Sequence, residues 1–127
     1  MLYENVFILR QDLTPGAASS LADKYAQLLE KNGGKVVERE EWGLVDLAYR
    51  IHKNKRGYFF LFHIDGPPSC VQAMESAMRL DEEALRYMTV RVKNHEPLPS
   101  VMMRYLDRNR EAREEREAET TNDRAKD

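Results

Sequence analysis

Three features of the sequence predict an α+β sandwich: four runs rich in β-forming residues, two stretches of helical apolar spacing between them, and turn residues at the junctions. In order they read strand-helix-strand, strand-helix-strand. Two such split units make the ferredoxin-like arrangement, βαββαβ, with a four-stranded antiparallel sheet and both helices on one face. The other sheet face then lacks a helical cover, and an uncovered apolar face often binds a partner.

Each element has a local cause. Tyr3 to Leu9 (YENVFIL) is short and rich in β-formers, hence a strand. Thr14 as N-cap and Pro15 at the first helical position start a helix, and Leu21, Tyr25, Leu28 and Leu29 form its apolar stripe. Gly33-Gly34 stops it, because glycine accepts the left-handed conformation after the last turn. Lys35 to Glu41 reads as a second strand with a polar, edge-like end, Gly43 as a bulge or bend, and Leu44 to Ile51 as extended chain. His52 to Gly57 reads as a turn and Tyr58 to Ile64 (YFFLFHI) as a buried third strand ended by Gly66-Pro67-Pro68. Ser69 to Arg79 is a second helix with Val71, Met74 and Met78 on one side. After the turn Leu80-Asp81-Glu82-Glu83, Leu85 to Lys93 alternates Met88, Val90 and Val92 against Tyr87, Thr89, Arg91 and Lys93, the pattern of a half-buried strand.

Pro97 and Pro99 close the domain, so residues 1–98 are expected to fold and residues 99–127 to form a charged, largely disordered extension. In DRNREAREEREAETTNDRAKD, the pairs Arg110 with Glu114 and Arg113 with Glu117 have helical spacing but no apolar stripe. Net charge is −2, with 14 Lys/Arg against 14 Asp/Glu in residues 1–106 and 6 against 8 in residues 107–127. Any basic patch is therefore local, not a global field. Cys70 is the only cysteine, which excludes a disulfide framework and a cysteine-cluster metal site and fits a reducing compartment. No apolar run approaches the roughly 20 residues of a membrane span. MLYENVFILRQD lacks a basic n-region and reads as a strand, so a cytoplasmic protein with no membrane partner is expected.

Catalytic patterns are missing. His52, His63 and His95 are scattered without metal-ligand spacing, and Gly33-Gly34 lacks the further glycines and Lys-Ser/Thr step of a phosphate loop. Asp81-Glu82-Glu83 reads as a solvated turn, since adjacent carboxylates do not converge as calcium ligands do. Cys70 beside a helix start reads as a small buried residue. Neither enzyme chemistry, a cofactor, a metal nor a small-molecule substrate is expected.

The stretch that stands apart is WGLVDLAYRIHKNKRGYFF. Arg50, Lys53, Lys55 and Arg56 bracket its turn, with no acid from Leu47 to Ile64. Such a turn projects long cationic side chains that phosphates attract whatever the base sequence. Its bland alternative is a merely soluble turn. Arg86, Arg91 and Lys93 on the last strand and Arg79 near the helix end add cations, with Arg10 completing a rim around the sheet. Tyr3, Tyr58, Phe60 and Tyr87 are the aromatics expected on the open face, where they would bury against a partner protein; a register slip of one residue would exchange that set. "RGYFFLF" lacks the consensus of the common RNA-recognition motif, so reading of splayed bases in that manner is not implied.

Tyr3-Glu4, Phe7-Ile8-Leu9, Asp12-Leu13, Gly33-Gly34, Trp42-Gly43, Leu47-Ala48-Tyr49-Arg50-Ile51, Gly57-Tyr58 and Leu85-Arg86-Tyr87-Met88 together resemble the bacterial small-subunit ribosomal protein numbered six. The resemblance runs from Tyr3 to about Pro97 in order, and "WG..LAY.I" followed by a basic turn and "GY" is its most specific part. One departure is Val45, where that family usually carries a basic residue, followed by Asp46 at a position often polar or basic. The resemblance implies a structural, non-catalytic place in the small ribosomal subunit. It implies binding to the central domain of small-subunit ribosomal RNA, in a heterodimer with small-subunit protein eighteen. Two other classes share the fold: an acylphosphatase-like enzyme, whose anion cradle is not recognisable in ILRQDLTPGAA, and a regulatory module that oligomerises through its sheet.

Overall fold

The computed structural model describes residues 1–51 and 53–95. The expected boundary at residue 98, Pro97, Pro99 and the extension 99–127 with its charge pairs lie outside the described residues. The elements are β1 (Leu2–Arg10), α1 (Pro15–Lys31), β2 (Lys35–Ile51), β3 (Asn54–Asp65), α2 (Pro68–Leu80) and β4 (Ala84–Val92). The sheet order is β2-β3-β1-β4, antiparallel throughout, which is the ferredoxin-like α+β sandwich expected. β1 and β3 lie centrally, and β2 and β4 form the edges.

The helix boundaries follow their capping chemistry. Thr14 Oγ1 accepts the Ala17 N–H at 3.1 Å, with Pro15 at the first helical position. At the other end of α1, Gly34 N–H donates to Leu29 O (2.9 Å) and Gly33 N–H to Glu30 O (3.1 Å). That is the Schellman arrangement, and it puts Gly33 at φ 88°, where a side chain would be strained. Gly34 and Gly66 then cross closely: a Cβ on Gly66 would sit 2.7 Å from Gly34 Cα and 2.9 Å from Cys70 Sγ. The turn into α2 thus packs on the turn out of α1.

Both helices pack on one sheet face. The core there is built from Tyr3, Phe7 and Leu9 of β1, Tyr58, Phe60, Phe62 and Ile64 of β3, Ala18, Ala22, Tyr25 and Leu29 of α1, and Cys70, Val71, Met74 and Met78 of α2. Phe7 is its hub, stacked on Phe60 at 5.0 Å and edge-on to Tyr25 at 5.5 Å and Phe62 at 5.1 Å. Each such pair adds about 0.5–1.5 kcal/mol beyond area burial. Arg39 of β2 closes the margin of this core. Its guanidinium lies 5.9 Å from the ring centres of Phe60 and Phe62, donates to Ser19 O at 3.1 Å, and pairs with Asp23 and with Glu41 Oε1 at 2.6 Å.

Strand alternation sends the other residues to the second face. Val6 and Ile8 of β1 and Phe59 and Leu61 of β3 form a smaller apolar cluster there with Leu47 of β2. Trp42, Val45, Ile51, Leu85 and Met88 pack against it. No described helix contributes to this cluster.

Candidate functional site

The hairpin joining β2 and β3 is longer than its sequence suggests. Asn54, Lys55 and Arg56 read as turn because they are polar, yet they pair as strand: Ile51 opposite Asn54, Asp46 opposite Arg56, Val45 opposite Gly57. The register shifts between Asp46 and Ile51, so β2 bulges beside the tip. Lys53 takes φ 68° in the tight reversal. Asn54 is buried and spends its amide on structure, donating from Nδ2 to Ile51 O (3.0 Å) and accepting the Gln11 N–H at Oδ1 (3.3 Å). Gln11 Oε1 in turn accepts the Arg56 N–H at 3.2 Å. These bonds stitch the base of the hairpin to the end of β1 and aim its tip outward.

Arg50, Lys53, Lys55 and Arg56 are all exposed on this projection. Arg56 makes an ion pair with Asp46 at 3.1 Å, each side chain 62% exposed, a geometry worth little in water. Arg50, Lys53 and Lys55 make no ion pair with another described residue. The end of β1, the starts of β3 and β4 and the end of β2 meet at one end of the sheet, so Arg10 and Arg86 join the hairpin cations there. Arg79, in the last turn of α2, reaches the same end from the helix layer. Arg91 and Lys93 do not: Arg91 pairs with Tyr3 at the far end of the nine-residue β1. At about 3.3 Å per residue, the two groups of cations stand roughly 25 Å apart. The expected rim is two separate patches, of which the hairpin end is the richer.

The aromatics correct the sequence expectation. Tyr3, Tyr58 and Phe60 are buried in the helix-side core, and Tyr87 packs partly buried against it. Tyr3 and Tyr87 share the face of Phe7, as the pairings Phe7 with Tyr87 and Phe7 with Phe60 require. None of the four lies on the second face, to which no described helix contributes. Tyr58 spends its hydroxyl on Leu13 O at 2.9 Å. The second face instead presents Phe59 and Leu61 at its centre, both fully buried, and becomes accessible towards β4, where Val90 is 46% exposed beside Met88 and Leu85. Tyr49, beside Arg50 in β2, is 43% exposed.

A polar cluster occupies the same second face. His63 Nε2 lies 3.6 Å from Glu4 Oε1, and His63 Nδ1 4.0 Å from Glu38 Oε2. The His63 ring stacks on His95 at 4.7 Å, and His95 Nε2 meets Ile64 O at 3.1 Å. Burial lowers the His63 pKa from its ordinary 6.5, outweighing the pull of Glu4, with His95 lowering it further. Cys70 is also buried, and that burial pushes its thiol pKa up, away from the thiolate a nucleophile needs. Among the described residues, no group of three or more His, Cys, Asp or Glu could hold a metal ion. No helix among them is long and apolar enough to cross a membrane.

Residues 2–91 match the family described as Ribosomal protein S6. The chain belongs to that family. The small ribosomal subunit protein bS6 of Zymomonas mobilis is 48% identical over 115 residues, covering 91% of this chain and 93% of the relative. That of Bartonella tribocorum is 46% identical over 116 residues, covering 91% and 86%. The crystal structure of 30S ribosomal protein S6 from Thermotoga maritima superposes with a TM-score of 0.68 over 72% of this chain and 86% of that one; at 24% identity it bears on the fold. Membership in the ribosomal protein S6 family makes this a ribosomal protein of small-subunit type, from a family of structural ribosomal proteins, and it carries the βαββαβ sandwich.

Proposed function

We propose that the chain is a non-catalytic structural protein of the small ribosomal subunit in the cytoplasm. In this reading it binds the central domain of small-subunit ribosomal RNA, paired with small-subunit protein eighteen. The observation that carries the proposal is the stitched hairpin, which holds Arg50, Lys53, Lys55 and Arg56 outward at the end of the sheet where Arg10, Arg79 and Arg86 also lie. Folded RNA packs phosphates closely, and each cation that neutralises one releases a bound counterion. Affinity at this end therefore comes from salt-dependent backbone contacts, which fix position without reading sequence. Val45 and Asp46 remove cationic charge at the neck of the hairpin, so the load falls on its tip. Arg91 and Lys93 form a second phosphate contact at the other end of the sheet.

The partner protein belongs on the second face, along the β4 margin where Val90 and Met88 remain accessible. Tyr3, Tyr58, Phe60 and Tyr87 act there only indirectly, by fixing the sheet from behind. The loop after β1, where an acylphosphatase would bind its anion, commits polar groups internally: Gln11 to Asn54 and Arg56, and Thr14 to Ala17. The purified chain, mixed with small subunits lacking it, is expected to co-sediment with them in low salt and to leave them in high salt. Absence from the subunit fraction at low salt, or acyl-phosphate hydrolysis by the chain, would overturn the proposal.

A further inference from the structure

A cleft of about 350 Å³ opens at the cationic end of the sheet, lined by Arg10, Asn54, Glu82 and Leu85. Its walls are fixed by backbone. Arg10 N–H donates to Glu83 O at 2.9 Å, which holds the turn before β4 against β1, and Gln11 N–H donates to Asn54 Oδ1, which holds the hairpin base on the other side. Arg10 bonds Asp12 through Nη2 at 3.0 Å, and its side chain remains 39% exposed. Glu82 is exposed and makes no ion pair with another described residue. The cleft thus sets a half-exposed guanidinium, engaged through Nη2, and an exposed carboxylate around an aliphatic wall. Its volume is in the usual range for small-ligand sites.

We propose that this cleft receives an unpaired guanine base of the RNA whose phosphates the hairpin holds, an inference that rests on the RNA-binding reading above. Guanine has two adjacent donors, N1–H and N2–H, which a carboxylate accepts side by side, and the acceptors O6 and N7, which suit an arginine. Adenine has an acceptor at N1, which would face the carboxylate unfavourably. Uracil has one imino donor between two carbonyl oxygens, and cytosine offers only its amino group. Leu85 supplies an apolar surface for the ring. Single-stranded loops and bulges are where proteins read RNA bases in this way, and the tip beside the cleft would anchor the flanking phosphates. Glu82 is then a specificity residue, acting on top of the phosphate contacts.

The test titrates the full chain, labelled with ¹⁵N, with GMP, AMP, CMP and UMP in turn. All four carry the same phosphate, so differences report the base. GMP is expected to move the amides of Arg10, Asn54, Glu82 and Leu85 at lower concentration than the other three. Glu82→Gln, at an exposed position, is expected to weaken GMP at least tenfold and erase the preference while leaving the salt dependence of RNA binding unchanged. Equal shifts with all four nucleotides, shifts confined to Lys53, Lys55 and Arg56, or a preference that survives Glu82→Gln would overturn the cleft as a guanine site. The salt slope of RNA binding reports the hairpin separately, so an intact slope without a GMP preference removes the cleft alone.

Discussion

Tyr25 donates its hydroxyl hydrogen to Asp81 Oδ2 across 2.8 Å, tying the middle of α1 to the C-terminal cap of α2. Lys24 reaches the same carboxylate at 3.2 Å. Burial raises the Tyr25 pKa first, and the bond to Asp81 and its negative charge raise it further, so the phenol stays a donor throughout the working pH range. Tyr25→Phe keeps the ring against Phe7 and removes only this bond. It is expected to cost about 1.5–3 kcal/mol in urea unfolding, the range for bonds to charged acceptors, with RNA binding unchanged.

Gly57 sits where the hairpin crosses β1. A Cβ there would lie 2.3 Å from Ile8 Cγ2 and 3.1 Å from Leu9 O, and Ile8 is itself buried in the second cluster. Gly57→Ala is expected to destabilise by about 1–3 kcal/mol through overpacking. Because the same crossing aims the tip, RNA affinity should fall as well. A variant as stable as the parent would show that the hairpin meets β1 less closely than described.

The sequence announced the ends of α1 plainly, because Thr14-Pro15 and Gly33-Gly34 act through local backbone chemistry that needs no tertiary information. It also announced the alternation of β4: Tyr87 and Met88 fall on opposite faces, although Tyr87 takes the helix side and not the open side expected. It was silent on the register of β3. Tyr58 to Ile64 is buried at every position, so a period of two cannot say whether Phe59 or Phe60 meets the helices. The aromatics placed on the open face were consequently the wrong alternate set. The hairpin was likewise shortened, since Asn54, Lys55 and Arg56 look like turn until Asn54 is seen capping its own reversal. The exposure of Arg50, Lys53, Lys55 and Arg56 followed from their polar run, whereas the division of the cations into two patches depended on how β4 pairs with β1.

Buried His63 makes stability depend on pH. Its folded pKa is held below the ordinary 6.5 mainly by burial, with Glu4 on β1 and Glu38 and Glu40 on β2 pulling upward and His95 pushing down. The unfolded chain therefore takes up a proton that the folded chain refuses. The stabilisation is complete above about pH 6.5 and is lost as pH falls through the lower folded value. Melting temperature is expected to drop between pH 7 and pH 5.5, and His63→Gln to flatten that drop. A melting temperature that rises on acidification would contradict the burial of a neutral imidazole.

Val90→Asp tests the partner surface. Val90 is half exposed at the margin of the second face, opposite Glu4, so the fold should tolerate the change with a loss of about 1 kcal/mol from like charges across the strands. The proposed pairing with small-subunit protein eighteen should weaken at least tenfold in a pull-down titration. Unaltered pairing would take the β4 margin out of the interface.

The claim on which the account depends is that the hairpin tip binds RNA by neutralising phosphates. It is tested most directly by the salt dependence of binding to a central-domain fragment of small-subunit ribosomal RNA, comparing the parent with Lys55→Ala/Arg56→Ala in the presence of the partner protein. Two lost phosphate contacts should flatten the slope of log K against log salt by about 1.4–1.8 while the melting temperature holds. A slope identical to the parent's in a folded variant would contradict the account.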